Sequence, residues 1–255
     1  MKVFCFTVDD NIRFLKDISN SGAESLFDNP YLALYKRLHC SYGIKVQLNL
    51  FYEIEDFNLS DFPDKYKKEW EENSDWLKLS FHAKSGIRRI YEVSNYQQVY
   101  SDCQKANLEI VRFASAKNLA KTTTIHYCML TEEGIKALKD NGIIALLGLY
   151  GEGRISYQNS AEELELLRGG ELVLDDEMGY SSIDVVINAH SKEENLQKLN
   201  ELLSRDFIKV MIHEQYFYED YKNYQADFSE KLDVVFSFLT EKGYRSIFLE
   251  EQLEN

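Results

Sequence analysis

Proline is scarce in this chain, two in 255 residues, and glycine contributes only twelve. That scarcity leaves little material for a flexible linker or a disordered tract, so a globular chain is expected throughout. The four cysteines, Cys5, Cys40, Cys103 and Cys128, are scattered and lack CxxC spacing. A disulfide framework or zinc ribbon is therefore not expected, and small core residues in a reducing compartment are. Basic residues are outnumbered 43 to 29, for a formal charge of −14. A polyanion binder needs clustered Lys and Arg, so nucleic acid is not an expected partner, and an anionic membrane is disfavoured for the same reason. No apolar stretch approaches the roughly 18 residues that cross a bilayer. Residues 1–8, MKVFCFTV, meet acidic residues before a signal-peptide core could form, so a cytoplasmic location is expected.

What the chain does have is core material: 44% apolar and 13% aromatic residues. Short apolar runs alternate with longer segments of helical period, the pattern of a parallel sheet covered by helices. Strands are expected at 3–8, 45–51, 77–81, 122–125, 143–147, 183–187, 207–212 and 246–249. The fold class implied is α/β, a single irregular β/α barrel of about seven to eight mostly parallel strands forming one domain over residues 1–255. Asn29–Pro30 opens one helix, and Thr131-Glu-Glu opens another that should stop at Asn141–Gly142. Helices are also expected at 191–203 and 228–242, the second closed by Gly243. Residues 53–76 read as a loop plus helix, and 150–180 as an insertion with hairpin character.

Ionisable residues fall at the ends of these strands. Asp9 and Asp10 end the first, while His82, His126 and His213 end LKLSF, TTTI and IKVMI. In a parallel barrel every strand's C-terminal end opens onto one face, so residues far apart in sequence converge there. A strand-end histidine by itself is often structural, and a DD pair can serve as a helix cap. Packing gives no reason for four separate strands to carry such groups on one rim, and the conjunction favours function. His39, inside a helical segment at 31–40, reads as structural; His190, between a strand and a helix, is left open to a rim role.

These residues resemble the motifs of the polysaccharide deacetylases, including their nodulation-factor deacetylase branch. TVDD at 7–10 resembles the family's TFDD, and His82-Ala-Lys-Ser85 resembles the second motif. TIHYCMLTEEGIKAL at 124–138 resembles the third-motif strand and helix, and 210–213 resembles the closing motif with its histidine. The resemblance implies that Asp10 and His82 hold a divalent metal, Zn being the first choice, that Asp9 is the general base, and that His213 is the general acid of amide hydrolysis. There are departures. Gly86 stands where the family has a second histidine, the third motif's arginine and prolines are missing, and no fourth-motif acid or Trp is visible at 147–150. Either His126 supplies a third ligand or the metal has been lost, as in metal-independent relatives.

The expected function is hydrolysis of a non-peptide carbon–nitrogen bond on a small molecule or carbohydrate, with Ser85, Glu214 and Tyr216 facing the substrate. Tyr216, Tyr221 and Tyr224 could stack on a sugar or simply pack over the barrel mouth. Two alternatives stand beside this reading. One is a glycoside hydrolase using Asp10 and Glu214 as its carboxylate pair; the other is a non-catalytic barrel that binds a glycan or small ligand.

Overall fold

In the computed structural model, which describes residues 1–150, 156–157 and 159–253, the first strand, β1 (Val3–Asn11), is the centre of the architecture. Its neighbours follow from its alternation. Phe4, Phe6 and Val8 point outward to the helices, with the Phe6 ring 4.8 Å from that of Phe236. Cys5 points inward and packs with Ala145, Leu147, Met211 and Leu249.

The other strands are β2 (Val46–Phe51), β3 (Glu53–Ile54), β4 (Phe57–Asn58), β5 (Leu77–Ala83), β6 (Thr122–Thr123), β7 (Ala145–Gly148), β8 (Leu172–Asp175), β9 (Met178–Ser182), β10 (Val185–Val186), β11 (Phe207–His213) and β12 (Arg245–Ser246). One sheet runs β10-β11-β1-β2-β5 with β12 beside β1; a second runs β6-β7-β9-β8, and β3 and β4 form a separate hairpin. Every pairing in the first sheet is parallel, and β8 with β9 is the antiparallel exception in the second. Two seams join the sheets. A parallel bridge links Leu79 to Leu119, and β9 runs almost directly into β10, where Ile183 donates to the Gly148 carbonyl and Asp184 to that of Lys209. The result is the expected α/β architecture, an irregular barrel with mostly parallel strands.

Around it lie α1 (Arg13–Ser21), α2 (Pro30–Tyr42), α3 (Lys67–Glu72), α4 (Tyr96–Phe113), α5 (Glu132–Asp140), α6 (Ala161–Gly169), α7 (Lys192–Glu201), α8 (Phe228–Glu241) and α9 (Leu249–Leu253). The helix starts read from sequence are those observed: Asn29 caps α2 through its side chain, and Thr131 caps α5. Gly142 and Gly243 follow their helices with φ of 85° and 81°, a left-handed conformation that costs glycine little. No helix among the described residues is long and apolar enough to cross a membrane.

Three expectations need correction. Residues 246–249 are not a full strand, because β12 ends at Ser246 and Leu249 opens α9, whose start is held by Glu251 accepting from the Phe248 amide. The helices α1 and α4 were not anticipated. The region 150–180, expected as an insertion, lies partly outside the described residues, and its described part contains α6 and the β8–β9 hairpin. Of these, β9 is a strand of the barrel itself, paired in parallel with β7.

Candidate active site

Successive residues of a strand point to opposite faces, so Asp9 and Asp10 should not both reach the barrel mouth. They do because β1 breaks its alternation there. Its register against β2 shifts between Val8 and Asn11, and Asp10 takes a φ of 63°. Such a bulge re-aims a side chain at a cost that aspartate tolerates better than most residues.

Asp10 then meets two histidines. Its Oδ1 lies 3.1 Å from His82 Nε2 and 3.1 Å from His126 Nδ1, and those two nitrogens are 3.2 Å apart. His82 is delivered by the end of β5, and its Nδ1 faces the Thr124 carbonyl at 2.5 Å. His126 is turned inward by a tight turn in which Tyr127 and Cys128 both carry positive φ, 62° and 55°. The Oδ2 of Asp10 accepts a hydrogen bond from Gln215 Nε2 at 2.8 Å.

Asp9 is 2% exposed and accepts from Asn49 Nδ2 at 2.7 Å. Asn49 is held in turn by Gln47, which donates to Asn49 Oδ1 and to the Thr122 carbonyl, both at 2.8 Å. His213, at the end of β11 and paired in register with Asp9, has its Nδ1 against Asn188 Oδ1 at 2.9 Å.

Burial pushes the Asp9 carboxyl above its ordinary value, against the pull of His82, His213 and the Asn49 hydrogen bond. Burial also opposes ionisation of Asp10, but hydrogen bonds from His126 and His82 carry it well below the usual carboxylate range. For His82, burial disfavours the imidazolium, yet the charges of Asp9 and Asp10 and the hydrogen bond to Asp10 raise its pKa. The two neighbouring carboxylates are thus driven in opposite directions, Asp9 up and Asp10 down.

The Asp10, His82 and His126 donor atoms fit a divalent cation on chemical grounds. With Nδ1–H of His82 given to the Thr124 carbonyl, loss of the Nε2 proton to an incoming cation would leave a lone pair there, beside a carboxylate oxygen and a second imidazole nitrogen. A divalent cation can take the place of the histidine protons that otherwise bridge these three atoms. Their spacing suits one: bonds of about 2.0–2.2 Å put adjacent donors roughly 3.0–3.5 Å apart in tetrahedral or octahedral geometry. His126, considered from sequence in place of Gly86, lies in one cluster with Asp10 and His82.

These groups line a cavity of about 620 Å³ together with Leu149, Val186, Met211, Tyr216 and Tyr221. His190 also lines it, its pKa lowered by burial and by Lys198. Tyr216 sits 6.1 Å from the His213 ring and 5.3 Å from Tyr221 between centroids.

Two residues expected to face substrate do not. Ser85 lines a separate acidic groove with Glu53, Asp56 and Asp61. Glu214 is fully buried, and its carboxylate accepts from the backbone amides of Ile12, Arg13 and Phe14 at 2.7, 3.0 and 2.8 Å. That removes the Asp10/Glu214 pair on which the glycosidase alternative rested. His39 stacks on Trp76 at 4.6 Å and contacts the Ile44 carbonyl, the structural role expected of it.

The sequence reading missed Asn49, Asn188 and Gln215. Only Gln215, two residues beyond His213, carried any signal. Asn188 stands beside His213, whereas an acid had been sought at 147–150.

No protein-family model matches the chain, and no curated protein matches it either. Solved structures do share its fold. A peptidoglycan N-acetylglucosamine deacetylase superposes with a TM-score of 0.54 at 12% identity, covering 98% of this chain and 86% of that one. A CE4 family pseudoenzyme from Bacillus anthracis gives 0.53 at 12% identity over 99% of this chain. A 4-alpha-glucanotransferase from Thermococcus litoralis gives 0.64 at 14% identity over the whole chain. The chain spans 65% of the pseudoenzyme and 41% of the glucanotransferase. At such identities the likeness is one of fold. It is an α/β barrel fold shared with a deacetylase, a CE4 family pseudoenzyme and a glucanotransferase alike, and it does not single out the nodulation-factor branch.

Proposed function

We propose that the protein is a metal-dependent hydrolase of a non-peptide carbon–nitrogen bond that removes an acyl group from the amide of a small carbohydrate-like substrate. The observation that carries this reading is the convergence of Asp10, His82 and His126, at 3.1–3.2 Å from one another, on the cavity that also holds Asp9 and His213. Asp10, His82 and His126 would hold the cation, with Zn the first choice for two imidazoles and a carboxylate. A divalent cation supplies Lewis acidity there, lowering the pKa of water to about 7 and favouring an oxyanion.

The remaining chemistry belongs to the chain. Asp9, made more basic by burial and fixed by Asn49, accepts the proton of the attacking water. His213, with Nδ1 engaged by Asn188, has Nε2 left to hand a proton to the departing nitrogen. Tyr216 and Tyr221 offer aromatic faces to a sugar ring. The fold likeness to a deacetylase agrees with this reading.

Elemental analysis of the purified protein, followed by amine-release assays on N-acetylated sugars, tests it. About one equivalent of metal and measurable turnover are expected. Asp9→Asn should keep the metal and lose roughly 10²–10⁴-fold in kcat, while Asp10→Asn should lose the metal. Metal-free, inert wild-type protein overturns the reading.

A further inference from the structure

A carboxylate can bind a cation through one oxygen or two, and the choice decides how many coordination positions remain for chemistry. At Asp10 the two oxygens are treated differently. Oδ1 faces both histidines, whereas Oδ2 is taken by the side-chain amide of Gln215 at 2.8 Å.

The orientation of that amide is chemically forced, since the flipped form would set its oxygen against a carboxylate oxygen. It also leaves Gln215 Oε1 buried with no hydrogen-bond partner among the described residues. A buried orphan acceptor costs free energy; here it accompanies an N–H₂ group committed to Asp10. The aspartate needs such a hold. It sits at a strand bulge with a left-handed φ of 63°, and the turn after it is pinned by Glu214, the residue just before Gln215.

We propose that Gln215 is a positioning residue that reserves Oδ2 of Asp10, so that the aspartate offers a divalent cation Oδ1 alone and keeps a coordination position open. This rests on the metal site argued above and adds how one of its ligands is set. The role assigned to Gln215, whose amide is committed to Asp10, is exerted through that aspartate.

The test uses the full chain with Co(II) as the probe, its dissociation constant measured by chelator competition and its ligand number by X-ray absorption. Gln215→Leu should weaken Co(II) binding roughly 10- to 100-fold, as loss of partners behind metal ligands does elsewhere. The ligand number at the metal should rise as Asp10 becomes bidentate, a change that a merely structural role would not produce. Metal-free unfolding midpoints of wild type and variant confirm that the fold is kept, and Gln215→Met serves if Gln215→Leu does not fold. If wild type binds Co(II) and a folded variant matches it in affinity and ligand number, the role of Gln215 is overturned while the metal site stands. If wild type takes up no Co(II), both fall.

Discussion

Asp10 shows how much one backbone angle decides. Had β1 continued as regular strand, Asp10 would point away from Asp9, and only one of the two carboxylates would reach the cavity. The positive φ at Asp10, and those at Tyr127 and Cys128 behind His126, place backbone strain beside the Asp10–His82–His126 cluster, as functional sites often do. The cysteines behave in the opposite way, as inert filling. Burial pushes the thiol of Cys5 up to about 12 and that of Cys128 up to about 11, and it raises Cys103 as well. Cys40 is the exposed one. At pH 8 a thiol-exchange reagent should therefore label one thiol quickly in the native protein and all four after unfolding. Fast labelling of a second native thiol would contradict the burial described.

The contrast between α1 and α2 explains which helices sequence reveals. Asn29 caps α2 from the adjacent position, a signal written locally. The cap position of α1 is Ile12, which offers no side-chain acceptor, and its amides are satisfied instead by Glu214, about two hundred residues away. No local pattern announces such a cap. Glu214→Ala should leave three amides at that terminus without acceptors and cost about 2–4 kcal/mol of stability, read from urea unfolding. Because these amides follow directly on Asp10 and Asn11, activity should fall as well. A change below 0.5 kcal/mol would show that solvent or another group caps α1. The miss at α4 has another cause. Its apolar positions Val99, Cys103, Ala106, Ile110 and Phe113 recur at helical spacing, but the Tyr and Gln residues at its start mask them.

At the scale of the whole molecule, the barrel depends on its seams. Where β9 passes into β10, Asp184 accepts from Lys209 and Arg205, at 3.0 and 2.5 Å, with Lys209 and Asp184 1% and 2% exposed in their side chains. A buried pair of this kind contributes little net stability, but breaking one half strands a charge. Asp184→Ala should destabilise the protein by about 3–5 kcal/mol in guanidinium unfolding, and adding Lys209→Met should recover most of the loss. A double variant as unstable as the single one would place the cost elsewhere.

The sequence alone determined the fold class, most strand positions and the identity of the rim acids and imidazoles. Alternation of apolar runs and the reach of a strand are local properties, so they are legible in the chain's own order. Tertiary structure decided the rest: that Asp10 turns to meet His82 and His126, that Glu214 caps a helix instead of meeting substrate, and that Asn49, Asn188 and Gln215 stand behind the site. Each of these depends on contact between segments tens to hundreds of residues apart, and a hydrogen bond across such a distance leaves no periodicity to read.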